Sequence, residues 1–188
     1  MSKYLTPLLL FVSLLFSAGC QPTDDTIAFK AEQEGVPDPS AYGIPAPQNR
    51  DYMPEFELPV LGGGTFDSSD QEGRVLLVNF WATWCGPCRT EIPDLVELQE
   101  ELGSDQFDVI GISLDMDGEE LVREFTDAME VNYPILLDDG AVAEAFGGVY
   151  ALPTTFVINK EGKITHRTIG LFPVEAVKGT LEDMINAD

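Results

Sequence analysis

Cys85 and Cys88 enclose a Gly-Pro dipeptide in the run Trp84-Cys85-Gly86-Pro87-Cys88, and a third cysteine stands far upstream at Cys20. Paired cysteines at this spacing serve three chemistries: an electron-exchanging dithiol, half of a zinc site, or a structural cross-link. Structural zinc takes four ligands. The sequence offers no second cysteine pair and a single histidine, His166. A cross-link that closes so short a loop removes little chain entropy. Redox exchange is the reading that stands, and it makes a demand on position. The reactive sulfur belongs at a helix N-terminus, where unpaired N–H groups and the positive dipole end stabilise a thiolate. Cys85, at the exposed edge, is then the thiol with the depressed pKa, with Arg89 adding a positive charge nearby. Gly86 permits close approach, and Pro87 presets the turn into the helix.

The flanking sequence supplies that setting. Val75 to Trp81 is an almost continuous apolar run, the pattern of a strand buried on both faces. A helix is predicted from near Cys88, with Ile92, Leu95, Val96 and Leu102 on one side. Further strands are predicted over residues 107–114, 135–137, 154–158 and 164–169. A second helix is marked by Leu121, Phe125, Ala128 and Met129, and a third by Val174, Val177, Leu181 and Met184. Residues 55–60, the Gly62-Gly63-Gly64 turn and Thr65-Phe66 read as a short hairpin. Strands alternating with helices predict an α/β fold with a central mixed sheet.

The run from Val78 to Pro93, Val-Asn-Phe-Trp-Ala-Thr-Trp-Cys-Gly-Pro-Cys-Arg-Thr-Glu-Ile-Pro, strongly resembles the TlpA/ResA-like branch of the thioredoxin superfamily. The resemblance covers roughly residues 54–186 and implies a thioredoxin fold with an N-terminal hairpin extension. Residues 131–151 resemble the central insertion of that branch. It implies Cys85 as nucleophile and Cys88 as the thiol that resolves the mixed disulfide. Thioredoxin has a buried Asp six residues before its first active cysteine, where this chain has Asn79. An amide accepts no proton at neutral pH, so Glu91 becomes the candidate base for Cys88; three residues apart, the two share a helix face. An exposed first-turn Glu that favours the helix dipole is the plainer alternative. Pro93 removes a helix hydrogen bond and is expected to kink the helix. Leu152-Pro153-Thr154-Thr155-Phe156 resembles the cis-proline loop of the superfamily, with Leu152 presenting its backbone to an incoming peptide. Trp84 is expected to cap the disulfide as an apolar contact surface.

Ser113-x-Asp115-x-Asp117-Gly118, with Glu124 beyond, approaches a calcium-loop pattern. Its first position is Ser and a strand precedes it, so it reads as a solvated strand-to-helix turn. His166 reads as a surface residue of the last strand.

The amino terminus is a targeting segment. Lys3 gives a positive start, residues 5–16 are mostly apolar, and Ser17-Ala18-Gly19 precede Cys20. This is a secretory signal pattern, too short for a membrane span. The Ser-Ala-Gly-Cys run resembles a bacterial lipobox, with Ser17 at the usual Leu position. Lipidation at Cys20 also accounts for the odd cysteine. The expected organisation is a signal peptide over 1–19, a lipid-attached tether over 20–54 and one thioredoxin-like domain over 55–188. The tether carries Pro22, Pro37, Pro39, Pro45, Pro47 and Pro54. It would span roughly 30 Å as a coil and about 100 Å extended.

With 33 acidic against 10 basic residues the formal charge is −23, which opposes binding to nucleic acid or to anionic lipid. It suits a solvated acidic surface or steering toward a basic partner. The expected activity is thiol–disulfide exchange on protein substrates, without organic cofactor or metal, by a monomer recharged by a membrane thiol electron donor. Gly-Pro between the cysteines resembles reducing thioredoxins. Substrates implied by the resemblance are apocytochrome c thiols, cysteines of an oxidase copper site, or general envelope disulfides. A peroxiredoxin-like thiol peroxidase and a non-catalytic metallochaperone are the alternatives.

Overall fold

The structure is a computed structural model and describes residues 51–116 and 118–187. Cys20, the targeting segment and most of the tether lie outside the described residues, as does Asp117. Five strands make one mixed sheet in the order β5-β4-β3-β6-β7. They are β3 (Val75–Trp81), β4 (Phe107–Ser113), β5 (Ile135–Leu137), β6 (Thr154–Ile158) and β7 (Ile164–Ile169). β4 runs parallel to β3 and β5, whereas β6 runs antiparallel to β3 and β7. Every residue of central β3 is buried. Such a strand needs apolar side chains on both faces, which is why the run 75–81 does not alternate.

The two faces bury different partners. Val75, Leu77 and Trp81 join a cluster with Ile92, Leu95 and Leu98 of α1 (Gly86–Leu102), Val122 of α2 (Glu119–Ala128) and Leu181 of α4 (Val174–Asn186). Leu76, Val78 and Phe80 face the opposite cluster, which holds Phe146, Phe156 and residues of α3 (Ala141–Ala145). Phe80 meets Phe146 and Phe156 edge-on, with ring centroids 5.2 and 5.9 Å away. The strand's two-residue period therefore sends Asn79, among the odd positions, toward α1.

The hairpin of β1 (Glu57–Pro59) and β2 (Thr65–Asp67) guards one sheet edge. The Leu61 N–H donates to the Ile135 carbonyl at 2.8 Å, and Val60 bridges Leu136. β5 and α3 lie between α2 and β6 in the chain. Ordered pairing starts ahead of the expected boundary at 55. The Met53 N–H donates to the Gly162 carbonyl at 2.8 Å, Tyr52 bridges Lys163, and Pro54 is buried. These residues of the expected tether are part of the domain.

α2 turns a different side inward from the one its sequence suggests. Leu121 is 42% exposed and Ala128 is exposed, while Val122 and Thr126 are buried, with Phe125 and Met129 half-buried. Val122, Phe125, Thr126 and Met129 keep helical spacing equally well, and a threonine hides the stripe. The Thr126 hydroxyl donates to the Arg123 carbonyl, which satisfies it inside. α1 continues through Pro93 to Leu102.

Gly111 in β4 lies opposite Asn79. A Cβ there would stand 2.6 Å from Ile135 Cδ1, 3.1 Å from Trp81 Nε1 and 3.2 Å from the Tyr133 ring. The missing side chain is thus space that Trp81 and Tyr133 fill. Gly111→Ala is expected to destabilise the fold by about 1–3 kcal/mol through overpacking. A shift of the denaturant midpoint measures this, and an unchanged midpoint would show that the neighbours yield freely.

Candidate redox site

β3 ends at Trp81, and a tight turn over Ala82–Trp84 delivers Cys85 to the start of α1. Cys85 is the N-cap: its sulfur accepts the Cys88 N–H at 3.2 Å. Pro87 sits in the first helical turn, where its missing N–H costs nothing. Cys85 and Cys88 are disulfide-bonded, with the sulfurs 2.00 Å and the Cα atoms 5.3 Å apart. Cys85 is 5% exposed and Cys88 is fully buried. Only the Cys85 sulfur has a path to a partner.

Asp115 fixes the turn that carries Cys85. Its carboxylate accepts the Thr83 N–H at 2.9 Å, the Thr83 hydroxyl at 2.6 Å and the Ser113 hydroxyl at 2.8 Å. The acidic loop that approached a calcium pattern is therefore, at Asp115, a clamp on the active-site turn rather than a merely solvated bend. Sequence reasoning missed this role. The one available signal was an acid placed just after a strand that runs beside β3.

A groove of about 480 Å³ opens beside Cys85, lined by Trp84, Gly86, Pro87, Leu114, Val149, Tyr150, Ala151 and Leu152. None of these side chains is charged. Trp84 is 66% exposed, so it offers its ring to solvent rather than to the core. Tyr150, missed by sequence reasoning, is 85% exposed at the rim. The Leu152–Pro153 peptide is cis, and Pro153 is buried behind Leu152. Trp84, Cys85, Gly86, Pro87 and Leu152, singled out from sequence, thus meet on one groove, with Pro153 beneath it.

Arg89 is less available than its position suggested. Its guanidinium lies 5.7 Å above the centre of the Phe125 ring, a cation–π contact on the flank of the helix. Cys85 itself sits at the N-cap of α1, where the helix N-terminus favours negative charge.

Glu91 is 2% exposed, which overturns the alternative of an exposed first-turn residue. It falls on the buried stripe Cys88, Glu91, Ile92, Leu95, Leu98 of α1. Asn79 Nδ2 donates to Glu91 Oε1 at 2.8 Å, and the Phe172 N–H donates to Oε2 at 2.9 Å. Asn79 Nδ2 also donates to Thr155 Oγ1 at 3.0 Å. Burial pushes the Glu91 carboxyl above its usual range; the two hydrogen bonds pull the other way, and nearby Asp94 adds to the rise. Tyr133 is pushed upward too, by burial and then by the Glu91 charge. The Phe172 contact is a main-chain one, and no side-chain pattern announces it. His166 is exposed on β7, away from this site.

The comparisons agree with this geometry. Residues 50–167 match the model of the AhpC/TSA family. The thiol-disulfide oxidoreductase ResA of Bacillus subtilis is 34% identical over 135 residues, covering 71% of this chain and 69% of that protein. The structure of a thiol:disulfide interchange protein of the thioredoxin family from Chlorobium tepidum superposes with a TM-score of 0.65 at 28% identity. It covers 72% of this chain and 96% of the other. A secreted thiol-disulfide isomerase from Corynebacterium glutamicum gives a TM-score of 0.66 at 27% identity, over 72% and 86% of the two chains. The chain belongs to the AhpC/TSA family, has the thioredoxin fold, and is a thiol–disulfide oxidoreductase related to ResA.

Proposed function

We propose that the protein is an exported, lipid-anchored reductase of protein disulfides that works outside the cytoplasm. The observation that carries this reading is a half-accessible disulfide: Cys85 borders a neutral groove while Cys88 is sealed behind it. The signal pattern and Cys20 support export and anchoring, and the likeness to a secreted isomerase is consistent with them. The domain acts as a monomer, needs no organic cofactor or metal, and does not engage nucleic acid. Its substrates belong to cytochrome c maturation, oxidase assembly or general envelope thiol reduction.

In the reduced protein the Cys85 thiolate attacks one sulfur of a substrate disulfide. A Cys85–substrate bond forms, and the other substrate sulfur leaves and takes up a proton. Cys88 then gives its proton to Glu91 and attacks Cys85 Sγ, which expels the second substrate sulfur as a thiolate that takes up a proton. Two electrons have passed to the substrate, and Cys85–Cys88 is oxidised. A membrane thiol electron donor restores the dithiol. Trp84, Gly86, Pro87, Leu152 and Pro153 hold the substrate segment: the ring and aliphatic surfaces by contact, the cis peptide by offering the Leu152 backbone.

The family match makes a thiol peroxidase the second reading. Peroxiredoxins are expected to carry Pro-x-x-x-Thr/Ser-x-x-Cys, and Val78 and Ala82 stand at the Pro and Thr/Ser positions before Cys85. Peroxide consumption at the expense of a thiol donor would support the peroxidase against the reductase.

Cys85→Ser is expected to reduce insulin disulfide reduction to background, and Cys88→Ser to accumulate a covalent complex with substrate through Cys85. Full activity in the first variant, or a reduction potential near the roughly −120 mV of a strong oxidase, would overturn the reading. The buried carboxyl gives a separate test. Burial raises the folded-state pKa of Glu91 above the ordinary carboxyl value of 4.5. The native state therefore holds this proton more tightly than the unfolded chain, and its contribution to stability falls as pH rises from 4.5 through the folded pKa. The stability difference between wild type and Glu91→Gln should be flat below pH 4.5. It should move in favour of the variant as pH rises through the window. Denaturant curves across pH measure it, and a difference independent of pH would place Glu91 in a state other than the buried acid described.

A further inference from the structure

Each oxygen of the Glu91 carboxylate has one donor, and neither donor belongs to its own helix. Oε1 is held by Asn79 of β3, and Oε2 by the Phe172 N–H in the turn between β7 and α4. Both donors are tied to the same short strip, the residues that follow the cis peptide. The Gly170 N–H donates to the Pro153 carbonyl at 2.8 Å, and Asn79 Nδ2 is shared with Thr155 Oγ1. Leu171, between the two tied residues of the turn, is 54% exposed, while Phe172 is 4% exposed and packs in the cluster that contains Cys88. The turn thus runs from the surface to the core within two residues. Gly170 adopts φ +94°, which favours glycine.

We propose that the Gly170–Phe172 turn and Asn79 are a positioning unit that carries the state of the cis-Leu152–Pro153 platform to the Glu91 carboxylate. The inference rests on the reading of Glu91 as proton acceptor and of Leu152–Pro153 as substrate platform. Hydrogen bonds weaken steeply with misalignment, and a buried carboxylate depends on its donors to stay ionised. An extended segment that pairs with Leu152 displaces the Pro153 strip, and displacement strains one or both donors. Proton affinity at Glu91 then rises while the mixed disulfide is in place. The proton moves from Cys88 Sγ to Glu91, and the Cys88 thiolate attacks Cys85 Sγ and expels the substrate sulfur. The other groups that bear on Glu91 are Asp94 and Cys88 on α1 and Tyr133 beyond α2. Glu175, at the start of α4, lines the same surface hollow as Asp94 and Phe172. Thr155 of β6 and both donors are uncharged.

The test follows the Glu91 carboxyl by NMR in the full-length oxidised protein with carbon-13-labelled glutamate, assigned by loss of the signal in Glu91→Gln. Gly170→Ala strains the turn without touching Glu91, and it is expected to raise the Glu91 midpoint by about one pH unit, a tenfold change in proton affinity. Gly162→Ala, in the β6–β7 turn at φ +75° and with open space around it, applies a like strain elsewhere and should leave the midpoint in place. Equal shifts in the two variants, or none in either, would overturn the proposal. If Gly170→Ala does not fold, Asn79→Ala takes its place with the same expected direction. In Cys88→Ser, a cystine-derived peptide on Cys85 should raise the midpoint, whereas a methylthio group, which has no main chain, should not. Equal midpoints with the two adducts would sink the coupling. No turnover enters these readings, so failure of the reductase assignment would show in the insulin assay alone.

Discussion

The redox site turns on one hydrogen bond: the Cys88 N–H donates to the Cys85 sulfur. It sets that sulfur at the N-cap of a 17-residue helix, where aligned peptide dipoles and unpaired N–H groups favour negative charge. The N-cap stays in place because the strand before it is immobilised on both faces. β3 buries all seven of its residues, and the Asp115 clamp then pins the turn through Thr83. Register, sheet packing and clamp converge on the placement of one atom. A loosely held cysteine would lose the dipole and gain conformers that present no sulfur to the groove.

The same register creates the second feature of the site. Because side chains alternate along β3, the position between Leu77 and Trp81 must face α1. A polar residue there is buried whether or not it has a task. Asn79 meets Glu91, which occupies the matching place on the buried stripe of the helix. An ionised carboxylate in that position is costly alone, and two donors offset part of the cost. Asn79 Oδ1 accepts no hydrogen bond among the described residues, so the amide is spent on donating.

Much of this was legible in the sequence. The strands at 75–81, 135–137, 154–158 and 164–169 were predicted with the bounds observed, because apolar runs flanked by turn residues leave few alternatives. The helix after the cysteines and the shared face of Cys88 and Glu91 followed from spacing. The cis peptide at Pro153 was legible only by resemblance. Other features were not legible, and three of them show the physical reasons. α3 is five residues long, too short to show a period. The inward face of α2 was disguised by Thr126, whose hydroxyl is satisfied by its own helix. The Phe172 donor is a main-chain N–H, which every residue but proline carries, so composition holds no trace of it.

The groove at the site is uncharged although the molecule as a whole is strongly acidic. The chain carries a formal charge of −23, yet the groove beside Cys85 is lined by uncharged side chains. The Cys85 sulfur is stabilised by a helix terminus, and Arg89 is engaged with Phe125. Glu91 is held by an amide and a peptide N–H. Exposed charges more than about 8–10 Å away are screened at physiological salt, whereas short-range hydrogen bonds in a buried site are not. Long-range fields bear on encounter rather than on the bond exchange, and a net negative charge favours the approach of basic partners over acidic ones.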